Sequence, residues 1–226
     1  MDLMVYAPPK THLSLDDRLQ WYLLLFLRVS VIGGMGLSAY YHEWGAFLYS
    51  VLALALMFLP ELIKSRARLR LPIEFDVVLV IFMYASVFLG KAGAAYERFW
   101  WWDGALHTGA GFILAYIGFL VLYIKVGQKQ LQASRLLIGL MIFSVALAFG
   151  ALWEIYEFGY DILFNGNAQR GSLHDTMWDL IVDGIGALVM ARIGIGIIFD
   201  KPRGFIARLT KSFVKANPHL GGTDHD

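Results

Sequence analysis

The chain has 226 residues, of which 58% are hydrophobic and only 16% are charged, and its formal net charge is +1. Soluble domains carry roughly 25% charged residues, so this sequence cannot supply the polar surface of a soluble globule of its size. The apolar content excludes an intrinsically disordered chain, and the lack of a basic domain argues against nucleic-acid binding. With no cysteine, disulfides and thiolate metal sites are excluded too. These properties indicate a polytopic membrane protein that contacts membrane lipids.

Six stretches are apolar and long enough, or nearly so, to cross a bilayer as a helix, which takes about 20 residues. In chain order they are Trp21–Tyr41, Trp44–Ile63, Ile73–Gly90, Ala105–Ile124, Leu136–Tyr156 and Trp178–Phe199. The segment 1–20 is polar and precedes a full-length apolar run, so it does not resemble a cleaved signal peptide. The sequence therefore predicts an all-α fold, a single bundle of six transmembrane helices over residues 21–199.

The distribution of basic residues predicts how this bundle is oriented. Six spans place both termini on one side, and the segments on that side hold 14 of the 19 Lys and Arg residues. The opposite loops hold only Lys91, Arg98 and Arg170. By the positive-inside rule both termini are cytoplasmic, including the N-terminal segment 1–20.

One basic residue, Arg28, lies inside the first span. It is about 10 Å along its helix from Trp21, at 1.5 Å per residue. A charge at this depth either extends its head towards the interface or pairs with a carboxylate. The nearest acidic candidate is Asp76, close to the start of the third span. We expect one of these structural roles for Arg28.

The tail at residues 200–226 is basic and amphipathic. After Pro202, Lys and Arg residues alternate with an apolar set at helical spacing: Phe205, Ile206, Leu209 and Phe213. This pattern is typical of a short helix that lies on the anionic inner leaflet. The alternative is a docking helix for a cytoplasmic protein, although the sequence identifies no such partner.

Acidic residues concentrate at the outer ends of the last three spans. Eight of the nine acids on the outer side bracket these ends; they are Glu97, Asp103, Glu154, Glu157, Asp161, Asp175, Asp179 and Asp183. The three acids of the fifth span follow at i, i+3, i+7 and those of the sixth at i, i+4, i+8, so each set forms one stripe of its helix. Because lipid cannot solvate charges, we expect the stripes to face inward.

The charges in this acidic layer do not balance. Eight carboxylates meet two arginines, Arg98 and Arg170, and two histidines, His107 and His174. Like charges near a low-dielectric boundary repel strongly unless something neutralises them. Three interpretations remain open: a structural cluster of paired or protonated acids, a bound divalent cation, and a pathway for protons or ions.

Metal coordination is favoured among these interpretations. Carboxylates together with an imidazole suit a divalent cation such as Mg, Mn, Ca, Fe or Zn. We predict the metal ligands to be His107, Glu154, Glu157, Asp179 and Asp183. We predict that supporting groups or a general base come from Asp103, Asp161 and Asp175, with Glu97, Arg98 and His174 as further candidates at the same helix ends.

The function that fits this layer is a metal-dependent enzyme at the outer leaflet, acting on a lipid or lipid-linked substrate. A metal ion can polarise a phosphoryl or carbonyl oxygen and activate a bound water. The first alternative is a proton- or cation-coupled transporter, which is disfavoured because residues 184–191, beyond Asp183, are apolar or Gly. The second alternative is a structural subunit of a membrane complex.

Three sequence blocks resemble a known group of proteins. The blocks span Tyr96–Phe112, Trp153–Phe158 and Asp175–Ala187, and each combines aromatic, acidic or glycine positions. Over roughly residues 84–194 the chain resembles the YjdF-like bacterial inner-membrane proteins, a family of uncharacterised function. It is less similar to VanZ-like membrane proteins, which also place a His early and Asp then Gly in the last span. The resemblance implies a bacterial or archaeal inner-membrane location and supplies no reaction.

Overall fold

The computed structural model of the protein describes residues 15–67, 69–170, 172–200 and 202–220. The first fourteen positions of the predicted N-terminal segment 1–20, and positions 221–226 of the tail, lie outside these ranges. All regular structure in the described residues is helical, with no strand. Six helices in the described part of the chain are long and apolar enough to cross a membrane. The predicted all-α class with six membrane-crossing helices is therefore confirmed, while the side on which the termini lie stays a prediction.

The chain divides into two compact units, residues 1–98 and 99–226. The helices of the first unit are α1 (Leu15–Tyr40), α2 (Trp44–Leu56), α3 (Leu59–Ala67), α4 (Ile73–Met83) and α5 (Ala95–Arg98). The α4 helix continues into a π-helical segment, Tyr84–Ala92, which the sequence pattern did not indicate. The core of this unit consists of side chains from α1, α2, α4 and the short link between α2 and α3: Leu24, Leu27, Val31, Ala53, Met57 and Val80.

Two ion pairs lie among the described residues of the first unit. Arg28 Nη2 donates to Glu61 Oε1 and to the Met57 carbonyl, both at 2.7 Å, and Lys64 Nζ donates to Asp76 Oδ2 at 2.5 Å. The alternative that Arg28 pairs with Asp76 is therefore wrong. The reason is that Glu61 and Lys64, three residues apart, share one face of α3. Glu61 pairs with Arg28, and Lys64 pairs with Asp76.

The second unit contains the two longest described helices, of 30 and 27 residues, and a third of 26 residues, the same length as α1. Its elements are α6 (Trp102–Gly127), α7 (Arg135–Phe164), α8 (Leu173–Phe199), α9 (Gly204–Ala216) and a 3-10 turn, Pro218–Leu220. The helices α6, α7 and α8 pack pairwise against one another. Both α7 and α8 extend past the predicted spans towards the loop that joins them. Asn165, at a φ of 51° and a ψ of 43°, ends α7, and the Ser172 hydroxyl caps α8 by accepting the His174 N–H.

The tail helix α9 is amphipathic and buries its apolar face. Leu209 and Phe213 are 7% and 4% exposed, so the expectation that this face lies on lipid is wrong for these two residues. Thr210 lies 3.3 Å from the hydroxyl of Tyr116 on α6, which places α9 against the bundle of its own unit. Phe205 remains exposed, as a lipid-facing residue would be.

Candidate functional site

The acidic residues of the second unit meet where α6 begins, α7 approaches its end and α8 begins. Asp103 and His107 lie one turn apart on α6, and Asp179 and Asp183 lie one turn apart on α8. Asp179 and Asp183 are each 2% exposed, and Glu154 of α7 is 4% exposed. Acidic side chains are almost never this buried unless they are paired or bind a ligand, so the region is a candidate site.

His107 is the centre of this arrangement. Its Nδ1 lies 3.4 Å from Asp183 Oδ2, and its Nε2 lies 3.8 Å from Asp103 Oδ1 and 4.0 Å from Asp179 Oδ2. One ligand atom each from Asp103, His107 and Asp179 lie within 4.8 Å of one another. The imidazole therefore contacts one carboxylate at close range through Nδ1 and faces two others, farther away, through Nε2.

Asp183 sits at the junction of all three helices because glycines let its neighbours come close. A Cβ added to Gly111 of α6 would collide with the backbone carbonyl of Asp183. A Cβ added to Gly150 of α7 would collide with the Asp183 carboxylate. The backbones can approach only because both positions lack a side chain, and this approach holds the carboxylate beside His107.

Arg170 supplies the positive charge that touches this acidic region. Its Nη2 lies 3.2 Å from Asp103 Oδ2 and its Nη1 lies 3.5 Å from Asp175 Oδ1. Sequence reasoning counted Arg170 as an outer-side cation without assigning it to the site. The signal that could have placed it is its position five residues before Asp175, in the short loop between the two acidic helices.

Asp161 organises the loop that presents Arg170. Its carboxylate accepts the backbone N–H groups of Ala168 at 2.6 Å and Gln169 at 2.9 Å. Both bonds go to residues directly before Arg170, so the side chain fixes the path of the α7–α8 loop. The structure thus places this predicted supporting residue at the loop backbone rather than beside His107.

Two cavities lie near these acidic residues. Glu154 faces the one called here the second cavity, which has a volume of about 300 Å³ and lies between α7 and α8. Among the described residues, neither of its buried carboxylate oxygens has a partner that meets hydrogen-bond geometry. Thr176 and Gln169 line the same cavity, and both side chains contact the Glu154 carboxyl group as weak donors outside that geometry. The Gln169 amide, however, donates to the Thr176 hydroxyl at 2.8 Å.

A first cavity, of about 200 Å³, opens beside the His107 cluster. Acidic and basic groups line part of it, namely Asp103, Asp175, Asp179 and Arg170, and the rest includes three indole rings, those of Trp100, Trp101 and Trp178. The arrangement provides a polar floor with three cluster carboxylates and aromatic walls. Such a mixture of apolar walls and a few polar groups is typical of small-molecule sites.

Four predicted residues lie elsewhere. Glu157 accepts the Trp153 indole N–H at 3.1 Å on the exposed side of α7 and is not among the three ligand-bearing residues that lie close together. His174 is exposed in the first turn of α8. Glu97 and Arg98 are exposed in α5, which belongs to the first unit.

Among the described residues of the cluster, acidic groups outnumber basic ones. Five carboxyl groups, from Asp103, Glu154, Asp175, Asp179 and Asp183, accompany one guanidinium and one imidazole. With all five acids ionised, even a protonated His107 would leave an excess of negative charge in a region that is largely buried. The arrangement can therefore bind a cation with little rearrangement of charge elsewhere.

Six apolar helices and a buried acidic cluster define this chain as a multi-pass helical membrane protein. It belongs to the family described as predicted membrane protein (DUF2238), whose model matches residues 19–199. An uncharacterised protein of Thermotoga maritima is 36% identical over 132 residues, which cover 54% of this chain and 67% of the relative. The expected likeness to YjdF-like proteins agrees with this family, while the VanZ likeness finds no support. No solved structure is significantly similar to the chain.

Proposed function

We propose that Asp103, His107 and Asp179 hold a divalent cation, and that the protein is a metal-dependent enzyme acting on a lipid or lipid-linked substrate. The observation that carries the proposal is the position of His107 Nε2, which faces two carboxylate oxygens at 3.8 and 4.0 Å. These separations exceed the 2.7 to 2.9 Å typical of charge-assisted hydrogen bonds. Ligand atoms about 2.1 Å from one ion lie about 3.0 Å apart at a right angle and about 4.2 Å apart when opposite. The observed separations lie within this range.

Asp183 has a different role in this proposal from that of a direct ligand. Histidines that bind metals usually donate their second ring N–H to a carboxylate, which fixes the tautomer. Asp183 Oδ2, at 3.4 Å from His107 Nδ1, is placed to accept that hydrogen. With the proton on Nδ1, the lone pair of Nε2 is directed towards Asp103 and Asp179.

The first cavity provides the place for a substrate. It borders Asp103 and Asp179, so a bound molecule would reach the cation from this side. A cation there would supply Lewis acidity towards a phosphoryl or carbonyl oxygen and would activate a bound water. Arg170 is positioned to attract an anionic group, and without one its guanidinium pairs with Asp175. The indole walls suit the region where lipid head groups meet acyl chains.

The location we propose is a bacterial or archaeal inner membrane with both termini cytoplasmic. The basis is the excess of Lys and Arg in the segments on the side of the termini. A reporter active only outside the cell, fused near Gly166, and one active only inside, fused at the C-terminus, should both give signal. The opposite pattern would place the cluster on the cytoplasmic side.

The transporter alternative has less support. Beyond Asp183 the side of α8 that faces its neighbours is closed by buried small or apolar residues, including Ala187, Met190 and Ala191. A transport path would have to open past these residues. Ion flux into vesicles containing the wild-type protein, absent with Asp183→Asn, would favour this alternative over the enzyme.

Metal analysis tests the proposed cation site. We expect the purified protein to retain about one divalent ion per chain, as measured by inductively coupled plasma mass spectrometry, and Asp179→Asn to lose it. Asp175→Asn is the matched control, because it removes an acid one turn away on the same stripe and lies outside the three-residue group. A wild-type protein without metal, whose melting temperature is unchanged by chelators and by added Mn²⁺ or Zn²⁺, would rule out the proposal.

A further inference from the structure

We infer that the groove between α7 and α8 binds a membrane amphiphile whose head is a protonated amine, with the Glu154 carboxylate as its counter-ion. This binding site is separate from the proposed cation site and does not require it. The inference rests on three features: a buried carboxylate, a cavity that reaches it, and apolar walls exposed on the outside of the bundle.

The first feature is the state of Glu154. It is 4% exposed, and within the described part of the chain both of its oxygens lack a donor in hydrogen-bond geometry. A buried polar group without a partner costs free energy, and more so when it is charged. Because a carboxylate only accepts hydrogen bonds, the group that satisfies it must be a donor.

The second feature is the cavity itself. Its volume of about 300 Å³ lies at the lower end of the range for small-molecule sites. The Glu154 carboxylate, the Gln169 amide and the Thr176 hydroxyl form its polar part. The cavity can therefore accept a small polar head together with part of a chain.

The third feature is the composition of the walls. Ala151, Ile155 and Phe158 of α7 and Leu180 of α8 complete the lining. Ile155 is 65% exposed and Phe158 is 55% exposed. In a membrane-spanning helix such residues face acyl chains, so the groove opens towards lipid and an amphiphile can enter it sideways.

Charge decides which head group fits. Asp183 and His107 both lie close enough to act on Glu154: the Asp183 carboxylate adds negative charge, and a protonated His107 offsets it. Arg170 already contacts Asp103 and Asp175. An anionic head would be repelled, and a neutral alcohol would leave the buried charge uncompensated, whereas an ammonium both donates hydrogen bonds and neutralises the carboxylate. The ammonium can belong to a single-chain amine or to an ethanolamine head group.

Photo-labelling of the full chain in phosphatidylcholine nanodiscs tests the inference. The probe is a dodecyl amine with a photoreactive group in its chain, compared with the matching alcohol and carboxylate. We expect the amine to label peptides of α7 and α8 that contain Ile155, Phe158 or Leu180, with the alcohol and carboxylate labelling these peptides weakly. Equal labelling by all three probes, or amine labelling spread over the other helices, would overturn the inference.

Matched variants locate the head group. Glu154→Gln should weaken amine labelling by about 30-fold or more, because the ammonium group of the probe loses its buried counter-ion. Glu157→Gln, three residues along on the exposed side of α7, should leave labelling unchanged. If Glu154→Gln does not fold, Ala151→Trp, which fills the groove, should abolish labelling, while Leu152→Trp, whose side chain is 59% exposed on the same helix, should not. Labelling that survives both Glu154→Gln and Ala151→Trp would contradict the groove as the site.

Two further experiments separate the amine site from the proposed cation site and identify the source of the ammonium group. Labelling repeated with a chelator should be unchanged, so a protein without metal can still confirm the amine site, and a metal-loaded protein without labelling would refute only the amine site. Addition of phosphatidylethanolamine to the nanodiscs identifies the source of the ammonium. Competition by this lipid assigns the site to a lipid head group, and the absence of competition assigns it to single-chain amines.

Discussion

The two units of the chain differ in how their buried and partly buried acids are paired. In the first unit, Glu61 and Asp76 each contact a base, Arg28 and Lys64 respectively, at 2.7 and 2.5 Å. In the second unit, Asp179 and Asp183 are buried around one imidazole at distances of 3.4 to 4.0 Å. In the first arrangement each acid has a direct basic partner. In the second, five described carboxyl groups share one imidazole and one guanidinium.

The origin of the difference is visible in the helix patterns. On α3 an acid and a base lie three residues apart, so one face offers both charges. On α8 three aspartates repeat every four residues, and the first half of the helix contains no Lys or Arg. The acid and base on α3 are the pattern expected of a structural ion pair in a membrane protein. The aspartate repeat on α8 is the pattern expected when the compensating positive charge comes from outside the chain.

The largest expected effect concerns the balanced pair. Arg28→Met should lower the free energy of unfolding by about 3 kcal/mol, because it leaves the partly buried Glu61 carboxylate without its main partner. Unfolding in mixed detergent micelles measures this change. The double variant Arg28→Met with Glu61→Leu should recover most of the loss, since it removes both charges. If Arg28→Met alone were as stable as the wild type, the pair would not be what stabilises the first unit.

The sign of the next effect separates a cation site from a purely structural cluster in the second unit. With Mn²⁺ or Zn²⁺ supplied at neutral pH, Asp183→Asn should lower the melting temperature by about 4 to 8 °C, which corresponds to about 2 kcal/mol. The reason is the loss of a carboxylate that would orient the His107 ring for the proposed cation. Differential scanning fluorimetry in detergent, with metal content measured in parallel, gives the answer.

The control for this prediction is Asp175→Asn. Asp175 contacts Arg170 rather than His107, so its neutralisation should change the melting temperature and the metal content little. A rise in melting temperature for Asp183→Asn would show that the acids merely repel one another, as a purely structural cluster requires.

A smaller effect is expected at Asp161. Asp161→Ala removes an acceptor for two backbone N–H groups and should cost about 1 to 2 kcal/mol of unfolding free energy. Hydrogen exchange at the amides of Ala168 and Gln169 should become faster, while exchange in the middle of α7 should not. Retained metal content is part of the expectation. Its loss would show that Asp161 acts on the cation site directly.

The fold was predictable from the sequence because its main signals are local. Apolar runs of about 20 residues identify membrane-crossing helices whatever their packing. The division into two units was not predictable, since it depends on which helices touch. The π-helical segment Tyr84–Ala92 has no sequence pattern of its own, and the burial of Leu209 and Phe213 depends on a surface formed by distant residues.

The site was predictable in composition but not in arrangement. Helical spacing correctly grouped Asp103 with His107 and Asp179 with Asp183, because residues four apart share a helix face. Spacing could not show that Glu157 turns towards Trp153, since two residues on the same broad stripe can lie on either side of a helix contact. The role of Arg170 depends on the path of a loop, which no periodicity defines.

The smallest expected effect on stability is that of Arg170→Gln, which should also change the affinity for a divalent cation. Arg170→Gln removes a half-exposed cation whose ion pairs with Asp103 and Asp175 should contribute below about 1 kcal/mol to stability. Because it also removes positive charge beside Asp103, divalent-cation affinity should rise, by about threefold. Isothermal titration with Mn²⁺ measures this rise, which should shrink at high ionic strength because Arg170 is within reach of salt screening. Arg192→Gln, on α8 towards its other end, should leave the affinity unchanged. A site in which Arg170 only orders the loop predicts equal affinities, so a rise confined to Arg170→Gln ties the guanidinium to the charge balance of the cation site.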